Sequence, residues 1–483
     1  MNFLAFIIGT TLPLSLGWLS LILLERTHPV LGRFERWFFA LVLGPTEFAL
    51  IVFIPHILGL TSLNLLGFLM PSLMILIVLL TLAFSTKAFA ARKYIPEYAG
   101  SPPSPAGYGG AGIALPKAMK IGILLLTIWT VIKILAGSFD LISVPTYWDD
   151  SFNNWNMRGK MFFLHEQVIL EIPIGNGLIQ GSDSVSSYPA TVPLLKTWLS
   201  VLRGSWQEPL VNGLHLVWLV GLIGTFYFGL RRSLSPMLSL LGVSLLVSLP
   251  LLLIQATNPY ADIFMAAHVL VPMLCLLAAA KSHDAKKVSV WMTIFGFSLG
   301  LMLLTKNEAT VLYSPIMGML FVWILLRKKS MGEYDNRTLW RIVIVSAPLA
   351  LLVGTPWILF KWTNGLTFGN AKSVSGVTLS LNTKVIQSIW FHLTHEPNWL
   401  LLPLSLLAAI AASGRRAFRL SEKILTVFVI LTISAQFLLF TFVAPLATEA
   451  IMQTGLSRGL LHIAPVAMML LMLLTKRLIM DEE

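Results

Sequence analysis

The chain has 483 residues, of which 56% are hydrophobic and only 12% charged, and its mean hydropathy is +0.80. Soluble domains carry about 25% charged residues, so no soluble fold could hide this much apolar surface. A net charge of +12 would suit nucleic acid, but Lys and Arg fall in short clusters between apolar runs, the signature of positive-inside loops, and that excludes a nucleic-acid partner.

Taken in chain order, the first apolar run, residues 3–24, lacks a basic leader and a small-residue cleavage site and has full spanning length, so it is expected to stay as a helix. Further spans are predicted at 37–60, 63–84, 119–137, 209–230, 234–254, 261–280, 288–304, 309–326, 339–360, 399–413, 424–443 and 459–474. The expectation is an all-α polytopic membrane protein with about thirteen transmembrane helices. The only cysteine, Cys275, lies inside an apolar run, so there is no disulfide framework and no thiol metal cluster.

Residues 188–202 are apolar but short, and they contain Pro189, Pro193 and Lys196. Treating them as an interfacial helix gathers Arg26/Arg33/Arg36, Arg92/Lys93, Arg231/Arg232, Lys281/Lys286/Lys287, Arg327/Lys328/Lys329, Arg415/Arg416/Arg419 and Lys476/Arg477 on the inner side. Treating them as a span splits those clusters between the two sides, so the interfacial reading is adopted. The inner loop at 85–117 holds a Pro/Gly-rich tract, Ser101 through Gly110, that cannot bury a core. The organisation expected is therefore three leading helices in 1–84, a flexible linker at 85–117 and a membrane domain at 118–483. Within that domain, 138–208 and 361–398 are outer loops too long to be mere connectors.

The first outer loop reads Pro145-Thr146-Tyr147-Trp148-Asp149-Asp150-Ser151-Phe152-Asn153-Asn154-Trp155 and continues to Phe163. On a helix, Trp148, Phe152, Trp155, Gly159 and Phe162 share a face, with Asp149, Asn153, Asn156 and Lys160 beside them as a polar stripe. An amphipathic helix at headgroup depth would bring a carboxylate to where a lipid phosphate meets a water-soluble acceptor. An Asp at this position also suits an N-cap. Asp262 and Glu308 fall at other outer helix ends, where they too could serve as caps. Arg458 starts the last span outside, either as an interfacial anchor or as a phosphate partner. His392, His395 and Glu396 are a weak metal pattern. No cofactor is required, although a divalent cation is compatible with the outer loops. Glu47 and Lys133 lie within spans, where Lys133 is placed to snorkel and Glu47 needs a partner.

These landmarks, in this order and all on one side, resemble the GT-C superfamily of membrane glycosyltransferases, in particular the bacterial relatives of protein O-mannosyltransferases and lipid A aminoarabinose transferases. Trp148-Asp149 is similar to the family's catalytic acid motif, and Tyr188-Pro189-Ala190-Thr191-Val192-Pro193-Leu194 to its Pro-rich juxtamembrane segment. Tyr260-Ala261-Asp262, Lys306-Asn307-Glu308 and Ser457-Arg458 with His462 are similar to its later outer-face motifs. The likeness runs from about Ala118 to the C-terminus; the leading helices and linker depart from the family's arrangement, in which the catalytic loop follows the first helix.

The resemblance implies an inverting transferase that takes a sugar from a polyprenyl-phosphate donor to a glycan, lipid or protein acceptor on the outer, periplasmic face of a bacterial inner membrane. It implies Asp149 as base with Asp150 as fallback, and Asp262 as a further acid. It also implies a substrate-binding set of Arg458, Lys306, Glu308, His462, Tyr188 and Trp148. The rival readings are a flippase or transporter, which would move lipid without consuming it, and a polymerase or ligase that uses a diphosphate donor.

Overall fold

The computed structural model describes residues 2–89, 116–146, 150–170, 173–174, 177–178, 186–366, 381–394, 397–418, 422–452 and 454–480. Three helices lead: α1 (Asn2–Leu24), α2 (Arg33–Ile57) and α3 (Leu65–Ser85). Then come α4 (Lys117–Ser143), a π-helical turn (Ser151–Asn156), α5 (Met157–His165), α6 (Thr191–Arg203), α7 (Glu208–Asn212) and α8 (Leu214–Arg231). A bent pair follows, α9 (Pro236–Ser248) and α10 (Pro250–Ala256), and then α11 (Asp262–Lys281) and α12 (Ala285–Met302). A second π turn (Ala309–Tyr313) opens α13 (Ser314–Ser330), which precedes α14 (Asn336–Thr363), α15 (Thr383–Thr394) and α16 (Leu402–Ser413). The chain ends with α17 (Lys423–Phe442), α18 (Ala444–Ile451) and α19 (Gly455–Met480).

Among the described residues, ten helices are long and apolar enough to cross a membrane, and α9 with α10, bent by 77°, would make an eleventh. This is an integral membrane protein. Two expected spans, 288–304 and 399–413, fall outside that set. The second is α16, only 12 residues long. The first lies in α12, whose 18 residues rise about 27 Å. Because Lys306, just beyond α12, reaches Asp262 at the start of α11, α12 returns to the face from which α11 departs.

The core is centred on α11, whose spanning window is 89% buried, whereas α4 is only 11% buried and turns its apolar surface outward. That exposed surface suits lipid. The leading helices pack into the same core as α11. Thr46 on α2 donates its hydroxyl to His268 Nε2 at 2.9 Å, because His268 Nδ1 is committed to the Phe264 carbonyl at 2.9 Å. α1 and α2 cross so closely that a Cβ on Gly44 would lie 2.3 Å from the Pro13 carbonyl oxygen, the close backbone approach that small residues permit between membrane helices. Glu47, left without a partner by its sequence, accepts the Ser20 hydroxyl from α1.

α6 is a 13-residue helix and not a span. Its environment is protein: residues 191–200 are all buried, and Trp198 Nε1 donates to the Gly9 carbonyl of α1 at 3.0 Å. α6 also packs against α5, where Thr197 donates to the Gly159 carbonyl at 3.0 Å and a Cβ on Gly159 would lie only 3.1 Å from the Lys196 and Trp206 side chains.

Candidate active site

Four separate stretches converge where α11 begins. Asp262 occupies the first turn of α11, where the helix dipole favours an anion, and it is fully buried. Its Oδ1 accepts from Lys306 Nζ at 2.9 Å and from His462 Nε2 at 2.8 Å, and its Oδ2 accepts from Arg458 Nε at 3.0 Å. Arg458 turns its other edge to Asp150, so a single guanidinium bridges two carboxylates 112 residues apart in sequence. Only a planar fork of donors can do this. The same guanidinium sits 5.2 Å over the Tyr260 ring, a cation–π contact. Lys306 lies 3.4 Å from Glu308 as well.

A carboxylate only accepts, so His462 carries its proton on Nε2, and Nδ1 is left for the Tyr313 hydroxyl at 3.1 Å. Tyr313 stands where the second π turn meets α13 and is also 3.1 Å from the Gly459 carbonyl. On the other flank, Lys361 in the last turn of α14 donates to the Ser187 carbonyl and to Asn307 Oδ1, each at 2.7 Å. This anchors the Lys306-Asn307-Glu308 turn against the segment that carries Tyr188.

The electrostatics separate the acids. Burial pushes the Glu308 carboxyl up, but the Lys306 ammonium, His462 and its own backbone N–H together hold the group below its ordinary value. One Glu308 oxygen, Oε2, has no hydrogen-bond partner among the described residues. Burial pushes the Glu449 carboxyl on α18 above its ordinary value, with Arg458 opposing. Burial, and then the charge of Glu308, push the Tyr188 phenol up, while its ring meets Trp155 edge-on at 5.6 Å.

Of the residues singled out in the sequence, Asp150, Asp262, Lys306, Glu308, Arg458 and His462 come together in one network, and Tyr188 faces it. Trp148, Asp149, His395 and Glu396 lie outside the described residues. His392 is buried, with Nε2 2.8 Å from the Ser388 hydroxyl. No group of three or more His, Cys, Asp or Glu able to hold a metal occurs among the described residues. The amphipathic face is only partly as expected. Trp155, Gly159 and Phe162 are buried, but Phe152 is exposed and Asn156 is buried instead of lying on the polar stripe. A π turn is wider than an α turn, so Ser151–Asn156 shifts the phase of everything before α5. Tyr313, Glu449 and Lys361 carried no motif in the sequence that marked them for this site.

No protein-family model matches the chain, and no curated protein sequence matches it. Among solved structures it is similar to ArnT from Cupriavidus metallidurans bound to undecaprenyl phosphate, a GT-C glycosyltransferase, with a TM-score of 0.50 and 12% identity over 74% of this chain. The fold is GT-C-like. This chain covers 60% of the length of that ArnT chain. Apo ArnT from the same organism gives a TM-score of 0.49 at 15% identity, with the same coverage of both chains. The Archaeoglobus fulgidus oligosaccharyltransferase in complex with Zn and sulfate gives 0.45 at 14% identity, over 74% of this chain and 49% of that one.

Proposed function

We propose that this GT-C-like chain is an inverting glycosyltransferase that moves a sugar from a polyprenyl-phosphate donor to an acceptor hydroxyl on the outer face of a bacterial inner membrane. The observation that carries this reading is the part-buried network in which Arg458 and Lys306 gather Asp150, Asp262 and Glu308 at one membrane face. The opposite face holds Arg36, Arg232, Lys281, Lys328 and Arg477, which the positive-inside rule puts toward the cytoplasm.

Both oxygens of Asp262 are already engaged by cations and His462, so Asp262 organises the cations and is a poor base. Asp149 is the proposed base, with Asp150 as its fallback. The base takes the proton of the acceptor hydroxyl as that oxygen bonds to the anomeric carbon. The anomeric carbon–oxygen bond to phosphate breaks on the opposite side, and its electron pair leaves on the polyprenyl phosphate. Arg458 and Lys306 stabilise that charge, exchanging a carboxylate partner for the phosphate.

On the face of α19 turned away from Arg458, Leu456 and Leu460 line an apolar cavity of about 320 Å³ with Ile389, Leu393, Ile433 and Phe437, space of the kind a prenyl tail would occupy. ArnT in its undecaprenyl-phosphate complex gives the same fold a ligand of the proposed donor class.

The test is purified Asp149→Asn incubated with labelled polyprenyl-phosphate sugar. The variant should insert and fold but transfer no sugar, and normal turnover would remove Asp149 from its role. Transport of intact lipid by the wild type would show a flippase, and release of a polyprenyl diphosphate would show a diphosphate-dependent enzyme.

A further inference from the structure

Lys196 on α6 is fully buried and takes no part in the chemistry above. Its ammonium donates to Asn156 Oδ1 and lies 3.5 Å from Asn212 Oδ1. Asn156 Nδ2 donates to Thr146 Oγ1 at 2.9 Å and to Asn212 Oδ1 at 3.2 Å, and Asn212 Nδ2 donates to the same Thr146 oxygen at 3.0 Å. The Thr146 backbone N–H is taken by Glu208 on α7 at 2.9 Å. Thr146 and Asn156, ten residues apart, stand on either side of Trp148-Asp149-Asp150 and are tied directly to each other.

Burying an ammonium costs several kcal/mol unless it is well compensated, and an apolar side chain would fill the same space without that cost. The charge has a specific use here. An ammonium only donates, so both asparagine carbonyl oxygens must face it, and both amide nitrogens must then face Thr146. Without the cation either amide could turn over and present an oxygen to the Thr146 oxygen, breaking the tie.

We propose that Lys196 is a positioning residue: its ammonium sets the orientation of Asn156 and Asn212, which clamp Thr146 and so hold Asp150 against Arg458. The catalytic consequence rests on the function proposed above, whereas the clamp itself does not.

The experiment uses the full chain in detergent, with Lys196→Met and Thr146→Val. Hydrogen exchange is followed over residues 146–156, and transfer kinetics are measured with polyprenyl-phosphate sugar. Lys196→Met should speed exchange there by about tenfold or more. It should also lower kcat by about 100-fold, the cost of a misplaced reacting group, with donor KM within about twofold. Thr146→Val, which leaves Lys196 in place, should shift both readouts in the same direction by less, and it decides the matter if Lys196→Met does not fold. Unchanged exchange in a folded variant overturns the clamp, and a raised KM at unchanged kcat overturns the positioning role. If the wild type transfers no sugar, the proposed function falls while the exchange measurement still decides the clamp.

Discussion

The two ends of α11 use the same residue types in opposite ways. At one end Lys281 lies 3.1 Å from Glu422, which also takes Arg477 at 2.7 Å. On the same face Glu25 lies 2.7 Å from Arg36, Glu35 2.6 Å from Arg232, and Glu333 2.9 Å from Lys328 and 3.3 Å from His283. At the other end Asp262 gathers Lys306, Arg458 and His462, Arg458 is shared with Asp150, and Glu308 keeps one oxygen without a partner among the described residues. Contacts gathered on one acid, as at Glu422, hold loops together. A shared cation can exchange one anion for another, so connectivity, more than the number of charges, marks the end at which a phosphate could be received.

The largest expected effect comes from breaking the hub. Asp262→Asn removes a fully buried anion from beneath two cations, which should cost about 3–5 kcal/mol and abolish transfer. A thermal midpoint equal to wild type in detergent would show that the two ends of α11 do not differ as described. The next effect tests sharing alone. Arg458→Lys keeps the charge, but a single ammonium cannot span Asp150 and Asp262 as the fork does. We expect kcat/KM to fall about 100-fold, with a smaller loss of stability than Asp262→Asn, and wild-type kinetics would show that bridging is not used.

Most of this comparison was legible in the sequence because both clusters stand at helix ends, and helix ends are where apolar runs stop. Asp262, Lys306, Glu308 and Arg458 could be placed on one side from span lengths and basic clusters alone. Asn156 could not. Its burial depends on a π turn, and a one-residue change of phase leaves hydrophobic content untouched. Tyr313 was hidden for another reason, since it sits inside an apolar run and its partner His462 is 149 residues away. At 399–413 the expected span meets α16, which covers only 12 residues, short of spanning length. α6 was recognised as too short to span, but its burial beneath α5 is a tertiary fact that α6's own composition does not carry.

A smaller effect separates the clamp from both clusters through pH. Burial lowers the Lys196 ammonium from 10.5 to about 7, opposed by Glu208 on α7; His215 on α8 is the other titratable group that senses it. Between those two values the unfolded chain holds a proton that the folded chain has released, so stability rises with pH across that window, while below about 7 the ammonium that orients Asn156 and Asn212 is present and the cost of burying it is borne in full. Wild type should therefore gain on Lys196→Met by about 1 kcal/mol per pH unit above neutrality, read as a widening gap in thermal midpoint. A gap independent of pH would mean that the ammonium is not buried as described.

The smallest effect belongs to the Glu422 end of α11. Burial raises the Glu422 carboxyl, but Lys281 and Arg477 outweigh it and hold the group below 4.5. Its stabilising contribution is therefore fully present above that value and is lost as pH falls below it. Glu422→Gln keeps the shape and leaves two cations that are each about 30% exposed and can turn to water, so the loss should be about 1–2 kcal/mol at neutral pH. The gap from wild type should close in acid, and sugar transfer should stay within about twofold of wild type. A large loss of transfer would mean that the two ends of α11 are coupled through the helix, and the division between a structural end and a receiving end would then have to be given up.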